Sequence, residues 1–279
     1  MRPDSRPSCS AAWTPCARLV GAVAEQGLRC VPGEGLGNTF LLAREEDAAR
    51  TGLAPGELAQ RACGAQWDGL LLLGPAQAPG RRLGIYNRDG SDGGVCLNGL
   101  RAAALWEGAA GGEFCMAGRA IRWRRVPEGV ELHLRRADLP QELALEAVAL
   151  DGLTGVSVPF WNPHCVVPVA DLGRLNLQAL ARAVAARRDL FPQGVNVEAI
   201  ADGGPGLLRA RVWERGVGET RACGSGAVAV ALAAWAGGAQ GPLRVEMPGG
   251  VLSLAPAPDG GVLLRGAASI GKPMDLALD

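Results

Sequence analysis

Two alanine-rich segments, GLRAAALWE (99–107) and GAVAVALAAW (226–235), constrain the fold of this 279-residue chain more than any other feature. Both are rich in helix formers and nearly free of polar side chains, and a helix that is apolar all round has no face to turn toward water. Each must be enclosed. Elsewhere glycine and proline cut the chain into short pieces, several of them strand-like: GLLLLG (69–74), GVELHLRR (129–136) and CVVPVA (165–170). A further helical spacing of apolar residues runs over 175–188. The predicted architecture is α/β (α+β), with mixed sheets each enclosing one buried helix.

The two segments also align with each other. CLNGLRAAAL (96–105) set against CGSGAVAVAL (223–232) matches Cys96 with Cys223, Gly99 with Gly226, Ala102 with Ala229, Ala104 with Ala231 and Leu105 with Leu232. The repeat distance is about a domain's length, which predicts two similar halves. Each half then offers one cysteine at the start of its helix. Free backbone N–H groups and the positive end of the helix dipole stabilise a thiolate there. If both helix starts serve one substrate, one sulfur takes an α-proton from one face of an amino acid and the other returns a proton to the opposite face. That is a two-base racemisation or epimerisation.

Composition narrows the alternatives. The net charge is zero, so no basic field is present to hold nucleic acid or an anionic membrane. A small-molecule partner is expected. Eight cysteines without a C-x-x-C pair, and only two histidines, His133 and His164, make neither a disulfide framework nor a zinc site. Reduced thiols in a cytoplasmic setting fit better, and Cys30, Cys63, Cys115 and Cys165 read as small buried hydrophobes. Lys272 is the sole lysine and has no glycine-rich phosphate cradle beside it, so a Schiff-base cofactor is not expected. The arginine-bearing leader makes a poor signal peptide, and its apolar stretch is too short to span a membrane.

At this point the chain resembles the diaminopimelate epimerase family. WERGVGETRACGSGAVA (213–229) is similar to the family's second signature. GLGNTFLL (35–42), IYNRDGSDGGVCLNGLRAAA (85–104), WNPHCVVPV (161–169), GVNVEAI (194–200) and MPGGVLSL (247–254) follow in the family's order. The resemblance implies two pseudo-symmetric halves, each a mixed β-sheet curled round a central buried helix. It sets a loose N-terminal extension at 1–27, an N-terminal half at 28–136 rejoined by 264–279, and a C-terminal half at 137–263. It further implies cofactor-free epimerisation of LL- to meso-diaminopimelate by a homodimer.

Carried over residue by residue, the resemblance makes Cys96 and Cys223 the acid–base pair, with His164 and Glu214 as polar neighbours that tune the thiols and the substrate amine. Asn38, Asn87, Asn162, Asn196 and Arg215 match substrate contacts, as does Glu214; Asn98, Gly224 and Ser225 lie on the helix starts expected to hold the reacting carboxylate. Simpler readings stand beside these. His164 also fits a satisfied core histidine, Glu214 and Arg215 a surface pair, and Asn38, Asn87 and Asn196 turn residues. Three departures from the family pattern crowd the substrate side: Leu97 in place of glycine, Thr39 in place of an acidic residue, and Trp161 in place of a small one. They leave open a different amino-acid substrate, or an inactive binding descendant closed by Leu97.

Overall fold

The computed structural model describes residues 27–76, 80–140, 145–150 and 152–278. The expected extension over residues 1–27 lies outside them except for Gly27, which opens the first strand. The chain divides into two compact units. One comprises the described residues up to Gly35, Thr39–Val130 and those from Ala268 onward, and the other comprises Leu36–Asn38 and Glu131–Ala267.

The first unit begins with β1 (Gly27–Gly35), β2 (Asn38–Arg44), α1 (Glu45–Arg50), α2 (Pro55–Cys63), β3 (Gly69–Leu73) and β4 (Arg81–Asn87), then continues through α3 (Leu97–Glu107), β5 (Gly111–Met116) and β6 (Arg119–Val126). Its sheet is mixed: β2–β3 and β4–β5 run parallel, β3–β4 and β5–β6 antiparallel. All five residues of β3 are buried, which explains its unbroken apolar run. Leu70 and Leu72 pack with Leu58, Ala59 and Ala62 of α2 on one face, while the Leu71 side chain reaches α3 at Gly99.

The second unit contains most of β7 (Gly129–Leu134), then β8 (Glu146–Leu150), β9 (Leu153–Phe160), β10 (Asn162–Pro168), α4 (Leu177–Ala185), β11 (Asn196–Asp202), β12 (Leu207–Glu214) and β13 (Gly218–Thr220). After these come α5 (Gly224–Ala236), β14 (Leu243–Met247), β15 (Gly250–Pro256) and β16 (Val262–Gly266). Here too the sheet is mixed, with β10–β11 and β12–β14 parallel and β8–β9, β9–β10, β11–β12, β14–β15 and β15–β16 antiparallel. Helix α5 packs against β9, β10 and β11 and also against β14 and β15, so the sheet curls round it. The chain then returns to the first unit as β17 (Ser269–Ile270) and β18 (Met274–Ala277), both antiparallel to β1. Helix α3 packs against β1, β17, β6, β3 and β5.

Strand alternation decides what meets α5. On β10 and β11, Cys165, Val167, Val197 and Ala199 join Leu177, Leu180 and Val184 of α4 in one apolar core. The intervening residues His164, Val166, Asn196 and Glu198 must then turn to the opposite face, toward α5. The cysteine expectations divide. Cys30, Cys63 and Cys165 are buried free thiols, and burial pushes them up to about 11, about 11 and about 12. Cys115 departs from the expected buried free thiol: it is half-buried and disulfide-bonded. Among the described residues no helix is long and apolar enough to cross a membrane.

Candidate active site

Both singled-out cysteines are helix N-caps. Cys96 caps α3 with φ −121° and ψ 104°, and its sulfur accepts the Gly99 N–H at 3.3 Å. Cys223 caps α5 with φ −126° and ψ 117°, and its sulfur accepts the Gly226 N–H at 3.4 Å. Cysteine is not among the usual N-caps, but sulfur takes here the role that a serine or aspartate oxygen normally fills. A thiolate in that role gains a charge-assisted hydrogen bond at the positive end of the helix. The likeness extends to a second partner. The Cys96 N–H donates to Met116 Sδ and the Cys223 N–H to Met247 Sδ, each at 3.4 Å.

Packing is tight three residues after each cysteine. A Cβ on Gly99 would lie 3.0 Å from a Leu71 methyl, and one on Gly226 would lie 2.7 Å from Glu198 Oε1. Leu97 and Gly224 occupy the same first helical position, and Leu97 is buried with the cap dihedrals of α3 matching those of α5. The extra side chain therefore leaves the turn intact.

Around Cys223 the second unit gathers a buried polar cluster. Burial is the largest effect that raises its thiol well above the ordinary value, followed by the Glu214 and Glu198 carboxylates; hydrogen bonds from Ser225 and Gly226 act the other way. Ser225 Oγ lies 3.3 Å from the sulfur. Burial likewise raises the Glu214 carboxyl, offset by hydrogen bonds to Thr220 and Cys223, with Glu198 raising it and His164 lowering it. Thr220 donates its hydroxyl to Glu214 Oε1 at 2.6 Å. His164 is fully buried with its Nδ1 2.7 Å from Glu198 Oε1.

The first unit surrounds Cys96 differently. One and a half turns along α3 lies Arg101, fully buried, donating to the Leu97 carbonyl at 3.2 Å and to Asn98 Oδ1 at 3.0 Å. Burial pushes its guanidinium down to about 10, while Cys96 and Glu34 oppose the shift. Its charge is positive where the charges about Cys223 are negative.

The remaining expected residues are placed as follows. Asn98 and Asn196 are buried, and the Asn196 side chain accepts the Arg215 N–H at 2.8 Å. The Arg215 side chain is exposed and donates to the Gln193 carbonyl at 2.7 Å, while half-buried Glu214 takes the Thr220 hydroxyl rather than pairing with Arg215. Asn87 ends β4 and donates to Ser91 Oγ at 2.9 Å, the turn role its neighbours suggest. Asn38 opens β2, Asn162 opens β10 exposed, and Gly224 opens α5. Thr39 is turned toward Asp68, donating its backbone N–H at 2.8 Å. Trp161 holds a left-handed backbone, φ 51°, with its ring stacked on Phe160 at 4.4 Å and its indole N–H donated to the Asp138 carbonyl at 2.9 Å.

Glu198, Thr220 and Arg101 were not singled out in the sequence. The signal for two of them was a lone charge in an apolar setting: Glu198 in the strand NVEAI and Arg101 in the helix LRAAAL. Thr220 carried no comparable mark.

The diaminopimelate epimerase family model matches residues 157–271. The diaminopimelate epimerase of Moorella thermoacetica is 34% identical over 84% of this chain and 94% of its own length. That of Sphingopyxis alaskensis is 33% identical over 84% and 92%. Among solved structures, a PhzF-family phenazine biosynthesis protein of Bacillus anthracis matches with TM-score 0.63 and 14% identity, covering 90% of this chain and 99% of that one. A hydroxyproline epimerase of Agrobacterium vitis matches with TM-score 0.63 and 15% identity, covering 91% and 92%. These two share the fold. With a third of the aligned residues identical to named epimerases over 84% of its length, the chain belongs to the diaminopimelate epimerase family of isomerases.

Proposed function

We propose that this chain epimerises LL-diaminopimelate to meso-diaminopimelate without a cofactor, with Cys96 and Cys223 as the two acid–base groups. One thiolate takes the α-proton, the C–H electron pair passes into the adjacent carboxylate, and the other thiol supplies a proton to the opposite face. Each sulfur thereby exchanges its role, and the reverse reaction starts from the exchanged state. The observation that carries this reading is the doubled cap: in a chain a third identical to named diaminopimelate epimerases, each of two cysteines accepts the third helical N–H of a buried helix.

In this reading His164 and Glu214 face the substrate amine. Asn98, Gly224 and Ser225 belong to the helix starts that draw charge onto the reacting carboxylate. Asn38, Asn87, Asn162 and Asn196 contact the rest of the substrate, and Arg215 exchanges its present backbone partner for the distal carboxylate. The chain works as a cytoplasmic homodimer.

Turnover of LL-diaminopimelate by the purified chain tests the proposal, and no turnover in the presence of reductant refutes it. A second amino acid as substrate is favoured by one observation, the bulky Trp161 held beside Asn162 in a strained backbone. Solvent deuterium entering another amino acid but not diaminopimelate decides for that reading. The intact cap behind Leu97 weighs against an inactive descendant.

A further inference from the structure

The buried pair His164–Glu198 has a feature that the two-thiol reaction alone does not require. Both side chains are fully buried and joined through Nδ1 and Oε1 at 2.7 Å. Their second polar atoms, His164 Nε2 and Glu198 Oε2, are also buried and have no hydrogen-bond partner among the described residues. Buried polar atoms without partners are costly and call for an explanation.

The sheet register sets this pair. His164 lies opposite Asn196 on the parallel neighbours β10 and β11, which puts Glu198 two residues farther along on the same face. From above, the first turn of α5 closes on the carboxylate so tightly that a Cβ at position 226 would lie 2.7 Å from Glu198 Oε1. The glutamate therefore has little room to leave its histidine.

Ionisable groups acting on this pair come from each packed element. Cys223 stands at the start of α5 and Glu214 at the end of β12, and Cys165 follows His164 on β10. Neither β9 nor α5 carries a charged side chain. Apart from the imidazole itself, each of these groups is an acid, so no cation among them competes with His164 for the Glu198 carboxylate.

A carboxylate facing Nδ1 accepts its proton and leaves Nε2 with a lone pair. We propose that Glu198 is a positioning residue, which holds His164 with its proton on Nδ1 so that Nε2 is presented as an acceptor to the ammonium group of the substrate. The identity of that ammonium group rests on the function proposed above; the state of the imidazole does not.

The chain's two histidines make the test direct. His133 meets Asp259 through Nε2, at 3.1 Å, so it is expected in the opposite form and serves as the internal contrast. Imidazole 15N spectra of the full-length protein, assigned with His133→Gln, are expected to show His164 protonated on Nδ1 and bare on Nε2. A proton on His164 Nε2 in the unsubstituted protein, alone or beside one on Nδ1, overturns the proposal without any Glu198 variant having to fold.

Glu198→Gln keeps an accepting oxygen and is expected to retain the spectrum and most of the activity. Glu198→Leu removes it. The proton should then move to Nε2, and kcat/KM should fall on the order of 10–100-fold. A Leu variant with Nδ1 still protonated, or with Nε2 protonated and kcat/KM unchanged, also overturns it. If the unsubstituted protein shows the expected imidazole but turns over no amino acid, the proposed reaction fails while the assignment of Glu198 to the Nδ1 proton survives.

Discussion

The Cys96 turn and the Cys223 turn are one local structure in two electrostatic settings. Cap dihedrals, the N–H bond to sulfur and the methionine sulfur accepting the cysteine N–H agree almost atom for atom. Beyond the turn they diverge. Cys96 is half-exposed and has a buried arginine on its own helix, while Cys223 is buried among Glu198, Glu214 and His164. A repeated helix start makes both sulfurs capable of becoming thiolates, and the unlike surroundings bias which one rests as the thiol. Under the proposed function that bias puts the resting proton on Cys223.

The largest expected effect tests whether both turns are needed. Cys96→Ala and Cys223→Ala should each lower epimerisation about 10³-fold or more, because under the proposed function each removes one of two proton carriers. Circular dichroism and thermal melting should remain close to those of the parent. Full activity in either variant removes that cysteine from the mechanism.

Next comes the bias itself. Since the Cys223 thiol is raised above its ordinary value, it is protonated at neutral pH and becomes reactive only as pH rises beyond the usual thiol range. Iodoacetamide at pH 7.5 should therefore modify Cys96 at least about tenfold faster than Cys223, as read by peptide mass spectrometry. Equal rates, or faster modification of Cys223, erase the asymmetry.

Packing beneath the turns should differ by less. Gly99→Ala meets the flexible end of Leu71, which can shift. Gly226→Ala meets a carboxylate held by His164 and should cost about 1–3 kcal/mol more. Urea melts of the two variants provide the comparison, and equal losses contradict the close approach of α5 to Glu198.

The smallest effect is on the pH dependence of stability. Folding favours the proton on Glu214, so its contribution is full below the unfolded carboxylate value and is lost as pH rises through the elevated folded value. In Glu214→Gln that loss disappears. The Tm of the variant minus that of the parent should therefore increase as pH rises above about 4, by about 2–4 °C for each kcal/mol involved. A flat difference means that the carboxyl is not held protonated.

Much of the fold was legible because its strongest signals are local. The two apolar helices could only be buried, and they appear as α3 and α5. The runs at 69–74, 129–136 and 165–170 lie on β3, β7 and β10, and the spacing over 175–188 became the shorter α4. The cysteine caps were legible for the same reason, since a residue beside a helix start needs no distant information to be placed. The partners of the cysteines were less so. Glu198 meets His164 through a parallel strand pairing 34 residues apart, which no local pattern encodes. Leu97, which stands where the family resemblance leads one to expect glycine, takes an ordinary first helical position under the same cap dihedrals as Gly224. The disulfide at Cys115 was invisible to spacing alone.

The exchange of α-hydrogen with solvent tests the division of labour between the two sulfurs most directly. With LL-diaminopimelate in D2O and conversion kept low, the meso product should carry one solvent-derived α-deuterium while recovered substrate remains protiated, because in the proposed mechanism the proton taken and the proton given belong to different thiols. Deuterium appearing in recovered substrate as fast as in product, or product retaining the original hydrogen, would contradict a two-thiol exchange.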